Sequence, residues 1–183
     1  MSTSLDPRAE RTLLAIETAF IELMQEMDFD EITTQAIIKR ANVNRNTFYK
    51  YYYGKQGLAK SLADRLKNEY EQMLNNYFSN NFQDLIQQSN STMFSKRHFI
   101  LTLWRINSRS LNVFAEIENM IKQRFIQYAQ AQQADQNWDF IGEMFAKLLL
   151  NSARYYWERD EQIPIKQVFA DWDLMLKIAT HYA

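Results

Sequence analysis

Within one short stretch, Arg45, Asn46, Tyr49 and Lys50 bring together the side-chain types that read base pairs and hold phosphates. Arginine can fork onto guanine O6 and N7, asparagine can pair with adenine, and lysine and tyrosine reach phosphate oxygens. On a helix beginning at Arg45 these four fall on one side, while Phe48 and Tyr52 share the opposite side and suit a core. The competing reading of any such charged run is a solvated helix face. A membrane surface is a weaker rival, because turn residues interrupt the stretch and no long amphipathic helix forms.

Catalytic and metal chemistry find little support. The 183 residues include no cysteine, which excludes thiolate metal sites, disulfides and cysteine nucleophiles. The two histidines, His98 and His181, are preceded three residues earlier by Ser95 and Ile178, where a di-iron carboxylate bundle needs glutamate. Three glycines leave no glycine-rich phosphate loop. The expectation is a protein that is not an enzyme and has neither metal nor cofactor.

The formal net charge of −1 hides a polarity along the chain. Residues 1–32 carry two basic side chains against eight acidic ones, a net of −6. Residues 33–67 carry eight basic side chains against Asp64 alone, a net of +7. Phosphate neutralisation by lysine and arginine supplies much of DNA affinity, so this block fits the chemistry of residues 45–50.

The elements that position these residues read as helices. Only three glycines and two prolines punctuate a chain that is 46% hydrophobic and 14% aromatic, too few turn residues for a sheet protein. The fold class is all-α. Leu13, Ile16, Phe20, Met24 and Met27 mark one face of a first helix over 9–27. Thr33 suits the N-cap of a short second helix ending near Ala41, Asn42 tolerates a left-handed turn, Val43 points inward, and Asn44 caps the helix from Arg45. Gly54 breaks the aromatic run, and a long helix from Lys55 repeats Leu58, Leu62, Leu66, Tyr70 and Met73 before Asn80-Asn81. Further helices are expected over 96–108, through Phe114 to Tyr128, over 138–158, and after Pro164. Residues 1–7 have neither a basic start nor an apolar run, and no stretch is long enough to span a bilayer. No signal peptide or membrane is therefore expected, and the expected location is the cytoplasm.

Two short helices joined by a tight turn are the grammar of a helix–turn–helix, whose second helix enters the major groove. Thr33, Ala41, Val43, Thr47, Phe48, Tyr49, Tyr52, Lys55 and Leu58 resemble, in order and spacing, the N-terminal domain of TetR/AcrR-family transcriptional regulators. Asn42 and Asn44 stand for the usual glycine and serine of that turn, Ile38 for a common alanine, and Asn46 for a frequent glycine. Tyr52 replaces phenylalanine, so its hydroxyl needs a partner if buried.

The resemblance implies a three-helix DNA-binding domain over 8–67 and a helical effector-binding and dimerisation domain over 68–183. It makes Thr47, Tyr49 and Lys55 phosphate clamps, and Arg45, Asn46 and Lys50 base readers. Tyr51 takes either role, and Thr33 and Thr34 face phosphate at a helix N-terminus. The expected partners are a palindromic operator in duplex DNA, a second copy of the chain, and a small-molecule inducer. The dimer face is placed on the last two helices, with Phe145, Leu149, Trp172, Met175 and Leu176 as candidates. Trp104, Phe125, Tyr128 and Tyr155 are candidates for a ligand pocket, with His98, Arg105 or Arg109 as polar anchor. Repression relieved by an effector is the implied mode. Activation, or a helical adaptor without an inducer, is the alternative.

Overall fold

The computed structural model describes residues 6–79, 90–133 and 136–180, and side chains except those of residues 76–79. Residues 1–5, Asn80, Asn81 and His181, on which expectations above were placed, lie outside the described residues.

Helix α1 (Pro7–Glu26) starts where Asp6 accepts the Arg8 N–H and Pro7 supplies a helical φ without a wasted donor. Its Ile16, Ala19, Phe20, Leu23 and Met24 are buried at the expected three- and four-residue steps. Helix α2 (Thr34–Arg40), α3 (Arg45–Tyr51) and α4 (Gly54–Ser79) follow. A helical turn over residues 90–95 leads to α5 (Arg97–Trp104). A two-stranded antiparallel hairpin, β1 (Asn107–Ser108) and β2 (Leu111–Asn112), interrupts the helices where the sequence reading had one more helical turn. Ser108 explains it: its hydroxyl accepts the Leu111 N–H across the turn, competing locally with helix. Asn112 then caps α6 (Val113–Gln132) by accepting the Ala115 N–H. Helices α7 (Trp138–Trp157) and α8 (Ile165–Thr180) complete the described chain, and none of the described helices is long and apolar enough to cross a membrane.

The chain divides into two compact units. The first comprises the residues up to Asn68 together with Thr102–Ala115, a segment that a division at residue 67 does not foresee. Its core is Phe20, Ile32, Ile37, Phe48, Leu58, Leu62 and Leu66, with Leu103, Ile106 and Val113 buried as well. Arg105 fastens the returning segment to the end of α1, donating to the Met24 carbonyl at 2.7 Å and to Asp28 Oδ1 at 3.2 Å.

The second unit comprises Glu69–Leu101 and Glu116–Ala183. Gly142 is buried in α7 where a Cβ would stand 2.8 Å from Ile126 Cγ1, so glycine permits the close approach of α6 and α7. Phe125 stacks on Phe145 with centroids 4.4 Å apart, and Lys122 ties α6 to α7 through Asp139 and Glu143.

Candidate nucleic-acid interface

The α2–turn–α3 geometry follows from local side-chain chemistry. Thr33 accepts the Ala36 N–H at 3.1 Å and opens α2. Asn42 sits at φ 51°, the left-handed conformation that reverses the chain. Asn44 accepts the Thr47 N–H at 2.7 Å and opens α3. Phe48 is fully buried and anchors α3, with Tyr52 packed beside it at 5.9 Å.

That anchoring leaves Arg45, Asn46, Tyr49 and Lys50 exposed on the opposite side of α3. Arg45 lies over the Tyr49 ring at 5.5 Å and Lys50 over the Tyr51 ring at 5.6 Å. Thr47 and Tyr51 are half-buried at the flanks, and Thr33 is exposed at the start of α2. The Thr34 hydroxyl accepts the Lys55 N–H at 3.1 Å, so it is partly committed to holding α4 against α2.

The basic block of 33–67 is mostly spent inside its own unit. Arg40 forks onto Glu26 at 2.7 and 2.8 Å and also reaches Glu22. The hydrogen bond from Arg40, with its charge, holds Glu26 below the usual carboxylate range. Lys60 and Lys67 flank Asp64, and Arg65 pairs with Glu17. Lys39, Arg45 and Lys50 remain exposed with no ion pair among the described residues. The polarity seen along the sequence is therefore largely a self-neutralising one, and its residue is a small cationic surface that includes the exposed side of α3.

Lys55 departs from its expected place. Rather than projecting as a phosphate clamp, its ammonium turns inward and donates to the Phe29 carbonyl at 2.5 Å and the Asp30 carbonyl at 2.9 Å. It lies 4.6 Å from the centre of the Phe29 ring, and burial pushes its pKa down. The Phe29 carbonyl also accepts the Ile32 N–H at 3.3 Å, and hydrogen bonds from an ionised donor such as this ammonium are the strong ones.

Tyr52 fulfils its own requirement: its hydroxyl donates to Glu17 Oε1 at 3.1 Å, beside Arg65, and burial raises its pKa. Tyr52→Phe removes that donor and is expected to lower stability by about 1 kcal/mol in thermal denaturation. DNA affinity is expected to stay within about twofold, since the hydroxyl faces away from the reading side. Sequence reasoning missed Tyr53, which is 92% exposed next to the α3–α4 turn.

In the second unit a cavity of about 90 Å³ lies among α4, α6, α7 and α8. None of His98, Trp104, Arg105, Phe125, Tyr128 and Tyr155 lines it. Trp104 packs edge-on against Phe114 in the first unit, and Arg105 is held there by α1. His98 is exposed near Asp160 at 3.5 Å, and Arg109 lies exposed in the hairpin turn. Phe125 stacks outside the cavity, Tyr128 is 40% exposed, and Tyr155 is 53% exposed under Arg159. The cavity instead uses Tyr70, Asn90 and an apolar wall. Phe145 and Leu149, expected at a dimer face, belong to that wall. Trp172 is half-buried against Phe169 and Phe145, whereas Met175 and Leu176 are exposed on α8, as are Leu174 and Ile178.

With this geometry in place, comparison with known proteins is informative. Residues 16–62 match the family described as "Bacterial regulatory proteins, tetR family". A stretch of 62 residues is 34% identical to the HTH-type transcriptional regulator YxbF of Bacillus subtilis (strain 168), covering 33% of this chain and 16% of that protein's length. The fold matches a TetR transcriptional regulator from Streptococcus agalactiae 2603V, with a TM-score of 0.66 over 92% of this chain and 94% of the other, at 20% identity. It also matches a gamma-butyrolactone receptor (ArpA-like protein), with a TM-score of 0.56 over 96% and 100% of the two chains, at 14% identity. At these identities the two structures speak for the fold. Residues 16–62 therefore form a helix–turn–helix domain of the kind found in the tetR family of bacterial regulatory proteins.

Proposed function

We propose that this chain is a sequence-specific DNA-binding regulator that acts as a homodimeric repressor and leaves its operator when a small molecule occupies the second unit. The observation that carries the reading is α3: capped at Asn44, anchored by Phe48, and free to present Arg45, Asn46, Tyr49 and Lys50 to a major groove. Arg45, Asn46 and Lys50 are assigned to base edges. Thr33, Thr34, Thr47, Tyr49 and Tyr51 are assigned to the sugar–phosphate backbone. A single seven-residue helix covers few base pairs, so specificity calls for two copies on neighbouring turns of DNA. The exposed apolar side of α8 supports pairing, and the cavity supports an effector.

Selection of binding sites from a random duplex pool tests the reading. A palindromic consensus with half-sites about one helical turn apart is the expected result. Arg45→Ala is expected to lose roughly 1–3 kcal/mol on that consensus and to relax one position in each half-site. A helical adaptor would enrich no sequence and show no salt-sensitive shift of duplex DNA. A reporter under the selected site separates repression from activation.

A further inference from the structure

The cavity of the second unit carries more than its existence. Its wall includes Met93, Leu150, Ala153 and Trp157, and among the described residues the Trp157 indole, Tyr70 and Asn90 are the side chains that bring a polar group to the apolar surface. Among the described residues, no lysine, arginine, histidine, aspartate or glutamate lines it. An unpaired charge brought into such a site loses its hydration with nothing in return, which rejects ionic ligands.

Asn90 adds a direction. Its Nδ2 donates to the Ile163 carbonyl at 2.8 Å, and because a carbonyl can only accept, the orientation of the amide is fixed. The buried Oδ1 is then left with no donor. A buried acceptor left empty is unfavourable, and nearly all such groups in folded proteins have a partner. Tyr70 is nearly completely buried, and burial raises its pKa, so it meets a ligand as a neutral phenol. The volume exceeds what one water needs, yet the apolar wall offers water few of the partners that would hold it.

We propose that this cavity binds an uncharged, mostly hydrocarbon molecule bearing one neutral hydrogen-bond donor, a hydroxyl or N–H group, that is directed at Asn90 Oδ1. This names the ligand class of the effector site above, and only its regulatory meaning rests on that reading.

Calorimetric titration of the full chain with 1-octanol, octanoate, octylammonium and the methyl ether of octanol tests it. Octanol is expected to bind at least about tenfold more tightly than either ion of the same chain length. The ether accepts but cannot donate, and is expected to bind about fivefold more weakly than the alcohol. Asn90→Leu is expected to erase the difference between alcohol and ether, and Ala153→Phe to fill the cavity and abolish binding. Equal binding of octanoate or octylammonium, equal binding of the ether, or no octanol binding at all overturns the proposal. If Ala153→Phe fails to fold, the four probes on the unaltered chain still decide. Because the readout is binding to the second unit, its failure leaves DNA recognition standing, and a failure of DNA recognition leaves this result standing.

Discussion

Lys55→Ala is expected to destabilise the protein by roughly 3 kcal/mol while leaving the salt dependence of DNA binding unchanged. The lysine makes two charge-assisted bonds to carbonyls, those of Phe29 and Asp30, from a side chain that is only 9% exposed. Hydrogen bonds to charged groups contribute about 1.5–3 kcal/mol each, and the truncated variant takes the cation from the Asp30 carbonyl and leaves the Phe29 carbonyl with the Ile32 N–H, in the loop that sets α2 against α1. For a domain of this size the loss amounts to a fall of several degrees in melting temperature. A phosphate clamp makes the opposite prediction: near-native stability, and a slope of log affinity against log salt reduced by about one. Measuring both quantities on one variant separates the roles, and a reduced slope with an unchanged melting curve would sink the structural role assigned here. Lys55→Met keeps the aliphatic packing on Phe29, so it isolates the lost carbonyl bonds from the lost contact.

Lys55 also shows where sequence reasoning stops. The helix–turn–helix was legible residue by residue because its determinants act over three or four positions. Thr33 and Asn44 cap the helices they precede, Asn42 takes the left-handed turn, and Phe48 and Tyr52 fall on one face. The need of Tyr52 for a hydroxyl partner was readable too, although Glu17, 35 residues away, could not be named. Cations were misjudged for the same reason. Arg40, Lys55 and Arg105 have partners 14 to 81 residues distant, two of the three bind main-chain carbonyls, and main-chain carbonyls carry no signature in a sequence. The cavity was hidden differently: an aromatic at helical spacing looks alike whether it fills a core, lines a void or faces water. Phe145, read as a dimer residue, lines the void, while Tyr155, read as a pocket residue, faces solvent. The tiny hairpin escaped because two residues per strand are too few to show alternation.

The second large effect is expected on α8. Substituting Met175 and Leu176 together by glutamate is expected to convert the proposed dimer to a monomer and to weaken operator binding by about 10²–10⁴-fold. Both residues are more than half exposed, with Leu174 and Ile178 beside them, so four large apolar side chains face outward over five consecutive positions. Among the residues of α8, Val168 alone is buried, which means the exposed stretch gives the unit's own core little. New carboxylates there need not desolvate inside the unit, and the folded monomer is expected to survive, as thermal denaturation and circular dichroism would register. In a self-complementary interface each substitution is introduced twice, and the like charges meet across the two-fold axis. What disappears is the second half-site held at high effective concentration, while each α3 keeps its contacts. A monomer is therefore expected to bind one isolated half-site as well as the unaltered chain's single unit does. Sedimentation would report the change in mass, and titration of full and half operators would report the change in avidity. Loss of half-site binding along with the full site would trace the defect to misfolding. An unchanged dimer would move the pairing surface elsewhere on the second unit.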